Sequence, residues 1–452
     1  MQKVKPALLR GFDQEYLPHE QLQFNHLVDI IRRNFELYGF LPIETPSAER
    51  REVLTSKGGV EKEIYALTRL AEADDDEAAT KGALRFDLTV PLARYVAMRE
   101  RELAFPFRRY QIQRVWRGET PQAKKGRWRE FYQCDIDIIN RDTLSYLAEA
   151  EIPSVIYSVF REMAIGEFRI RINNRKVLKG LLQGFHIPED ASSAVLRILD
   201  KVEKEEQAHI RKELLGQGLS DKAAGHLYDL ISVKRSTGET FKALAGIAGN
   251  EALQTGIAEL QKVVDGMTQF GVPDYAFAVD LGVVRGLDYY TGTIYETSLV
   301  SRPELGSICS GGRYDDLASY FTNTRLPGVG ISIGLTRLFS GLMEAGLLKQ
   351  LARTPAQAIV ITMDERFMDR YIEIGRKLRL AGINTEVYLE PAKLSKQMTY
   401  ADRKGFRVAV IAGENEFRNE VVQIKDLGKQ EPSVHPMDGI VEAVKSKLPP
   451  DQ

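Results

Sequence analysis

The chain of 452 residues carries 62 Lys and Arg against 63 Asp and Glu, which leaves a formal net charge of -1. This length allows two to three domains with sizeable cores. The near-neutral balance excludes bulk attraction to polyanions, so any contact with RNA must come from local basic patches.

No apolar stretch is long enough to span a membrane, and residues 1–10 lack the apolar core of a signal peptide. We therefore expect a cytosolic protein without membrane contact. The two cysteines, Cys134 and Cys309, show no metal-ligand spacing and no disulfide framework, which fits a reducing compartment. We expect both to be small buried hydrophobes, and spacing predicts no metal site elsewhere.

The first predicted helix is amphipathic and should end near Gly39. Its apolar positions recur at helical spacing: Leu22, Leu27, Ile30, Ile31 and Phe35. From there to about residue 139, short strand-like runs dominate, including residues 63–67 and 84–89. The acidic run 74–77 between these two runs predicts a solvated loop.

A basic loop, residues 120–127, joins two predicted strands at 115–119 and 128–138. Arg117 should end the first strand. Three cations surround the tip of the loop: Lys124, Lys125 and Arg127. Such a loop suits a phosphate-rich partner, although a solvated basic hairpin would give the same pattern.

Alternation along the second strand places three polar side chains on one face: Gln133, Asp135 and Asp137. The rest of this strand is largely apolar, as expected of a buried element. Because buried polar groups cost free energy unless they are paired, we infer that a polar ligand binds against this row.

Residues 173–271 have a helical composition, with Val195, Leu199 and Val202 at three- and four-residue spacing among Lys and Glu. The flanking segments on both sides are strand-like. We therefore predict a helical insertion between two halves of a sheet domain.

Residues 285–290, Arg-Gly-Leu-Asp-Tyr-Tyr, follow an apolar strand-like run at 275–281 and precede a period-two segment at 291–296. A permanent cation, a glycine that allows close access and two hydroxyl-bearing rings predict a pocket for a small anion, with Arg285 at the end of one strand. Taken alone, a surface arginine beside a packed aromatic hairpin would give the same pattern.

Two glycine-rich segments follow, at 310–317 and 328–338. In the second, small residues alternate with branched ones, which predicts a strand that another backbone approaches closely. A helix should then begin with Arg337 in its first turn. Because a cation there opposes the helix macrodipole, we expect Arg337 to serve a ligand. The glycines lie within the strand, which excludes a dinucleotide-binding Gly-x-Gly-x-x-Gly loop.

The chain after Pro355 alternates strands with helices. Strands are predicted at 359–361, 386–389 and 408–411, with helices ending near Leu380 and Lys404. This alternation predicts a parallel or mixed sheet with helices on its faces.

Together these segments resemble the class II aminoacyl-tRNA synthetases and, within that class, the histidyl-tRNA synthetase family. Three segments resemble class motifs 1, 2 and 3: residues 38–46, 117–137 and 328–338. Two others, at 285–290 and 310–317, resemble motifs specific to the histidine family. The resemblance runs from residue 10 to residue 427, which is almost the whole chain.

The resemblance implies an α/β fold whose α+β catalytic domain has a mainly antiparallel sheet flanked by helices. It also implies a helical insertion and a C-terminal α/β anticodon-binding domain with a mixed sheet. The expected bounds are 1–174 and 272–345 for the catalytic domain, 175–271 for the insertion, 346–355 for a linker and 356–452 for the anticodon-binding domain. The resemblance further implies a homodimer built on motif 1, with Pro46 near the interface. It also implies that the inserted helices help to grip the tRNA acceptor arm.

The implied reaction activates L-histidine with ATP, accompanied by Mg²⁺, and then transfers histidine to the 3′ end of tRNA(His). Activation needs no protein nucleophile, and guanidinium groups are well suited to hold two anions together. By motif match, Arg117 would hold the α-phosphate and Arg337 the γ-phosphate. Arg285 would bridge the substrate carboxylate and the α-phosphate as the main catalytic residue. Glu119 would contact adenine or help to place Mg²⁺.

Selecting histidine requires polar partners for both ring nitrogens, since an apolar pocket discriminates poorly between rings. By motif match, Asp137 and Tyr290 would contact the imidazole. Three residues would hold the α-amino group: Asp87, Thr89 and Gln133. Tyr289 and Tyr314 would line the pocket, and the basic loop would contact the tRNA acceptor end.

The sequence departs from the commonest bacterial pattern of the family in three places. Residues 85–89 read Arg-Phe-Asp-Leu-Thr where Arg-Pro-Glu-Gly-Thr is usual, and Asp137 stands where Glu is usual. Both variants match the archaeal and eukaryotic branch and keep a carboxylate at each site. The loop 120–127 differs in length and sequence from the usual form, which leaves open how the extra acceptor-stem base of tRNA(His) is read.

Two alternatives have less support. A non-catalytic relative that binds histidine or RNA, such as the regulatory subunit of ATP phosphoribosyltransferase, would lack the segment at 285–290 and the anticodon-binding domain. Residues 393–396, Lys-Leu-Ser-Lys, are similar to a nucleotide-binding signature of the other synthetase class, but no His-Ile-Gly-His partner exists in the chain. We interpret them as a basic helix start.

Overall fold

The computed structural model describes residues 4–56, 61–69, 81–122, 126–247, 249–284, 289–348, 353–390, 392–428 and 432–449. The chain divides into two compact units, Met1–Gln14 with Leu27–Leu348, and Glu15–His26 with Lys349–Gln452. Among the described residues, no helix combines the length and apolar character needed to cross a bilayer.

Up to residue 348 the elements are, in chain order, α1 (Pro18–Leu37), β1 (Leu41–Pro42), β2 (Ala48–Arg50), α2 (Arg51–Leu54), β3 (Ala66–Leu67), β4 (Gly82–Leu84), α3 (Thr89–Arg99), β5 (Phe107–Trp116), β6 (Glu130–Ile139), α4 (Tyr146–Met163), β7 (Phe168–Asn174), α5 (Arg175–Gly184), α6 (Glu189–Leu199), α7 (Gln207–Gly216), α8 (Asp221–Ser232), α9 (Thr237–Ala245), α10 (Glu251–Gln269), β8 (Phe277–Val279), β9 (Thr293–Leu299), β10 (Ser307–Tyr314), β11 (Gly328–Gly334) and α11 (Leu335–Glu344). Beyond it they are β12 (Ala358–Thr362), α12 (Met368–Leu380), β13 (Thr385–Val387), α13 (Leu394–Lys404), β14 (Val408–Ala412), α14 (Glu414–Arg418), β15 (Val421–Asp426), β16 (Ser433–Pro436) and α15 (Ile440–Lys445).

An eight-stranded sheet, in the order β1-β5-β6-β11-β10-β9-β7-β8, organises the first unit. Its strands pair antiparallel except at the two edges, where β1 pairs with β5 and β7 with β8 in parallel. The predicted mainly antiparallel sheet is therefore confirmed. Cys134 on β6 and Cys309 on β10 are both buried, as expected, and burial raises the pKa of both thiols.

The first helix follows its predicted pattern. Leu27, Ile30, Ile31 and Phe35 are buried, whereas Leu22 is only partly buried. The helix ends at Leu37 just before Gly39, whose φ of 76° is the left-handed conformation that often follows a helix C-terminus. The predicted helical insertion is also present, as the six helices α5 to α10. Ser236 begins α9 with a reciprocal capping box to Glu239, which satisfies backbone donors at the helix start.

Three strand predictions need correction. Residues 84–89 are not a strand, because β4 ends at Leu84 and α3 begins at Thr89. In the run 63–67 only Ala66 and Leu67 form a strand, β3, after a 3₁₀ turn at Glu61–Glu63. In the run 275–281 the strand β8 is limited to Phe277–Val279 and follows a 3₁₀ turn at Asp274–Ala276. The acidic run 74–77 lies outside the described residues.

The second unit contains a five-stranded sheet in the order β13-β12-β14-β15-β16. The first three strands are parallel and the last two join antiparallel, so the predicted mixed sheet is confirmed. Helices α12 and α13 end at Leu380 and Lys404, as predicted. Helix α13 begins directly after Lys393, which agrees with the interpretation of residues 393–396 as a basic helix start.

Candidate active site

Polar side chains form cross-strand rows on one face of the large sheet. Between β5 and β6, Arg109 lies opposite Asp137 and Gln111 lies opposite Asp135. On the other side of β6, Ser332 of β11 lies opposite Asp135. Directly opposed residues of neighbouring strands project to the same face, so these groups face one shared space. All except Ser332 are buried.

Asp137 is held by two partners. Its Oδ2 lies 2.6 Å from Arg109 Nη2, and its Oδ1 accepts a hydrogen bond of 2.7 Å from the Tyr314 hydroxyl. Both side chains of the ion pair are almost fully buried, at 0% and 4% exposed. Burial raises the pKa of Asp137 to about 6, while Arg109 and Tyr314 act in the opposite direction. This anchored carboxylate has a fixed orientation.

The glycines of β10 and β11 make room for the side chains of the pocket. A methyl group on Gly330 would lie well inside 3.0 Å of the Asp137 carboxylate, and one on Gly328 would overlap the Tyr314 ring. On Gly312 it would lie 2.9 Å from Tyr290 Cδ1. The predicted close backbone approach is also present, between Gly311 and the Gly330 carbonyl.

Three tyrosines pack edge to face beside Asp137. The ring centroids of Tyr289 and Tyr290 are 4.8 Å apart, and those of Tyr289 and Tyr314 are 6.0 Å apart. Burial raises the pKa of all three phenols, so they act as neutral hydroxyl groups. Thr89 hydrogen-bonds Tyr289, which brings the start of α3 to this cluster.

Asp87 lies just before α3, where its Oδ1 accepts a 2.9 Å hydrogen bond from the backbone N–H of Val90. Its charge also raises the pKa of Tyr289 and of Asp137, which places the Asp87 carboxylate in the same cluster. The structure therefore brings Asp87 and Thr89 together with Asp137 and the tyrosines.

Gln133 lies one row further along the same face. Its Nε2 donates a 2.6 Å hydrogen bond to Ser332 Oγ, and its Oε1 is buried without a hydrogen-bond partner among the described residues. Burial raises the pKa of the neighbouring Asp135 to about 7. A buried acceptor that is left open in this way is available to a ligand.

Arg117 directly follows β5, which ends at Trp116, one residue before the predicted end at Arg117. Its guanidinium carbon lies 4.4 Å from the centre of the Phe86 ring and 5.1 Å from that of Phe131, and its Nε donates to the Phe86 carbonyl at 3.2 Å. Glu119 Oε1 is 4.0 Å from Arg117 Nη1. About a quarter of the Arg117 side chain is exposed, so this oriented cation can still reach a ligand.

Arg337 lies in the first turn of α11, as predicted. Its Nη1 donates to the Ser307 carbonyl at 2.9 Å and its Nη2 donates to the Leu305 carbonyl. A methyl group on Gly126 would lie 3.1 Å from Arg337 Cα, so the C-terminal end of the basic loop lies against α11. Arg127 pairs with Gln122 through two backbone hydrogen bonds of 2.9 and 3.2 Å.

Three predicted site residues, Lys124, Lys125 and Arg285, lie outside the described residues. Sequence reasoning missed Arg109, the partner of Asp137. A signal was present, since a charged residue in a ten-residue strand with buried neighbours needs a counter-charge.

One group in the described part of the chain has the geometry to hold a metal ion: Glu205, His209 and Glu213. His209 Nε2 lies 3.2 Å from Glu205 and 3.6 Å from Glu213, while Lys201 donates to both Glu213 oxygens at 3.0 and 2.9 Å. These contacts are explained by ion pairing around α7, and the group includes no residue of the predicted site.

Comparisons with known proteins agree with the fold. A family model described as histidyl-tRNA synthetase matches residues 13–338, and one described as an anticodon binding domain matches residues 357–447. The histidine–tRNA ligase of Xanthomonas oryzae pv. oryzae (strain PXO99A) is 48% identical over 449 residues, which cover 95% of each chain.

Solved structures are also similar. The histidyl-tRNA synthetase of Nostoc sp. PCC 7120 has a TM-score of 0.89 at 40% identity, over 99% of this chain and 100% of that one. A protein from Bacillus halodurans C, described as an ATP phosphoribosyltransferase regulatory subunit/histidyl-tRNA synthetase, has a TM-score of 0.73 at 22% identity over 88% of this chain and 97% of that one. The latter shows the fold alone.

Proposed function

This chain belongs to the histidyl-tRNA synthetase family, and from that premise we propose that it is the enzyme that activates L-histidine with ATP to histidyl-adenylate and pyrophosphate. It then transfers histidine to the 3′ end of tRNA(His). The observation that carries the proposal is the buried Asp137 carboxylate, fixed by Arg109 and Tyr314 beside neutral tyrosine hydroxyls in space cleared by glycines. No observation favours a non-catalytic role.

The imidazole of histidine would bind between Asp137 and Tyr290. A carboxylate accepts the ring N–H, and a phenol hydroxyl can donate to the other ring nitrogen. Because Arg109 and Tyr314 already fix the carboxylate, little orientation is lost when the ring binds. An analogue without ring nitrogens would make neither of these two hydrogen bonds in a buried polar pocket, which is the strongest basis for rejecting it.

The α-amino group would be held by the acceptors at the start of α3 and on β6: Asp87, Thr89 and Gln133. The open Oε1 of Gln133 and the Asp87 carboxylate supply acceptors of the kind that an ammonium group needs. The tyrosine rings would exclude water from the site, which strengthens these electrostatic contacts.

Activation is an in-line displacement in which a histidine carboxylate oxygen bonds to the α-phosphorus of ATP and the bond to pyrophosphate breaks. Arg117, oriented by Phe86 and Phe131, would hold the α-phosphate, and Arg337 would hold the γ-phosphate. Arg285 would bridge the carboxylate and the α-phosphate as charge spreads over the phosphoryl oxygens. In the second step the terminal ribose hydroxyl of tRNA(His) would attack the adenylate.

Mg²⁺ would enter with ATP, since it usually keeps phosphate and water ligands and few from protein. Glu119 fits this use, because its carboxylate is about a third exposed and lies beside Arg117. The ion would neutralise phosphate charge. Glu119 would hold it or contact adenine.

The partner surfaces follow the same reasoning. Lys124, Lys125 and Arg127 would contact the acceptor end of tRNA(His), and the domains would have the bounds given above, with residues 356–452 binding the anticodon. We infer a cytoplasmic homodimer with Pro46 near its interface. Sedimentation equilibrium at low concentration should give twice the chain mass, and a single-chain mass alone would contradict the dimer.

Charging of a tRNA(His) transcript with labelled histidine tests the function. Wild type should form histidyl-tRNA, and Asp137→Asn should lose most of its kcat/KM for histidine because a neutral amide replaces the charged acceptor. This substitution leaves the buried Arg109 without its counter-charge, so thermal unfolding of the variant must be measured alongside. A folded wild type that charges no tRNA would refute the proposal.

A further inference from the structure

Asp135 lies between two residues assigned to histidine, yet the proposed function gives it no part. It is 3% exposed on β6, opposite Gln111 on β5 and Ser332 on β11. Ser332 lies directly across from it on the neighbouring strand, and a hydrogen bond from that hydroxyl lowers the pKa of the Asp135 carboxyl against the effect of burial. Asp135 Oδ1 has no partner within the described part of the chain. Burying a carboxylate with so few partners costs free energy, so its presence on this face needs a reason.

The hydrogen bonds from Gln133 through Ser332 to Asp135 have a fixed direction. Above its pKa of about 7 the Asp135 carboxylate is ionised and only accepts, so the Ser332 hydroxyl then donates its single proton to Asp135. Ser332 Oγ must then accept from Gln133, whose Nε2 is 2.6 Å away. The amide nitrogen is thereby held toward Ser332, and the amide oxygen is turned to the other side, where it is buried and open.

We propose that Asp135 is a positioning residue that acts through Ser332 to hold the Gln133 amide with its oxygen toward the α-ammonium group of the substrate. The two ends of an amide are nearly identical in shape, so packing alone does not choose between them. If the amide reversed, an N–H group would face the ammonium and repel it. The inference rests on the proposed function, because it takes histidine as the ligand of this pocket.

The charges around Asp135 also favour an ammonium group in this pocket. The charges of Asp137 and Asp87 raise the pKa of Asp135, and that of Asp87 raises the pKa of Asp137, while the buried cation Arg109 lowers both. From the elements packed against Asp135, the remaining side chains in its row are the uncharged Gln111 and Ser332. An incoming ammonium group would favour the ionised form of Asp135 and with it the direction of the relay.

Two ligands separate positioning from general damage. L-Histidine carries the ammonium group, whereas 3-(imidazol-4-yl)propionate lacks the amino group and keeps the ring and the carboxylate. Their binding to the full chain should be measured by calorimetry at pH 8, above the Asp135 pKa of about 7. The variants are Asp135→Asn and Ser332→Ala. Ser301→Ala, which removes an exposed hydroxyl from the turn after β9, is the control.

We expect each of the two variants to weaken histidine binding roughly 10- to 100-fold, the loss typical of one hydrogen bond to a charged group, with propionate binding and the control unchanged. Ser332→Ala keeps the buried charge and therefore serves even if Asp135→Asn fails to fold. The proposal would be overturned if a variant lost equal affinity for histidine and for the propionate. It would also be overturned if Asp135→Asn lost affinity for histidine alone and Ser332→Ala did not, because Asp135 would then act by charge and not through Ser332. A wild type that binds neither ligand would overturn the proposed function itself.

Discussion

Substituting Gly330 by Ala should damage the pocket without touching a polar group. The new methyl group would overlap the Asp137 carboxylate and lie 2.8 Å from the Ile136 carbonyl, closer than the 3.0 Å that real Cβ atoms essentially never violate. The Ile136 carbonyl belongs to the paired strand β6 and cannot retreat easily. The Asp137 side chain must therefore move.

The size of the effect follows from the bonds that Asp137 makes. It lies 2.6 Å from Arg109 and 2.7 Å from Tyr314, and such contacts weaken steeply once they lengthen beyond normal hydrogen-bond range. A hydrogen bond to a charged group contributes about 1.5 to 3 kcal/mol. Losing the equivalent of one such bond to the imidazole corresponds to roughly 10- to 150-fold in kcat/KM for histidine.

Steady-state pyrophosphate exchange, with histidine varied at saturating ATP, measures this ratio. Gly238→Ala is the matched control, because no atom lies within 4 Å of its methyl group and alanine favours the helix α9 in which it sits. The control should keep wild-type kinetics. A Gly330→Ala variant that also keeps wild-type kcat/KM would refute the argument that this glycine makes room for Asp137.

Two further predictions concern charged groups. Arg285→Ala should lower the rate of histidine activation by roughly a hundred- to a thousandfold, because losing one preorganised donor typically costs about 2.7 to 4 kcal/mol. Histidine binding should be partly retained. Single-turnover adenylate formation measures this rate, and a value within about threefold of wild type would remove Arg285 from the mechanism. Burial raises the pKa of Asp135 from 3.8 to about 7, so the folded state binds this proton more tightly than the unfolded state does. The free energy of unfolding of the wild type should therefore fall as pH rises from about 4 to about 7. Asp135→Asn has no proton to lose, so its free energy of unfolding in urea should rise relative to that of wild type between about pH 4 and about pH 7. A difference between the two proteins that does not change with pH would contradict this prediction.

Strong periodicity made much of the fold predictable. The polar row on β6 and the apolar positions around it predicted a strand, and Arg337 was placed correctly in the first turn of α11. Helix α3 was missed because Thr89 and Val90 are β-branched and Pro91 reads as a helix breaker. Proline is tolerated in the first turn of a helix, where its missing N–H has no intrahelical partner, and that is where Pro91 lies.

Arg109 could be recognised from sequence as a residue in need of a counter-charge, but its place in the pocket could not be assigned. It follows Arg108, and alternation states only that the two side chains point to opposite faces of β5. The structure buries Arg109 against Asp137, whereas Arg108 pairs with Glu151 and is partly exposed. Which arginine faces the pocket depends on the register of β5 against β6, and register is set by tertiary packing.

Amino-acid-dependent exchange of labelled pyrophosphate into ATP, with Mg²⁺ and each standard amino acid in turn, measures the activation of histidine itself. We expect exchange with histidine and with no other amino acid. No exchange with any of them, from folded protein that still binds histidine, would contradict it and assign the pocket to a binding role without catalysis.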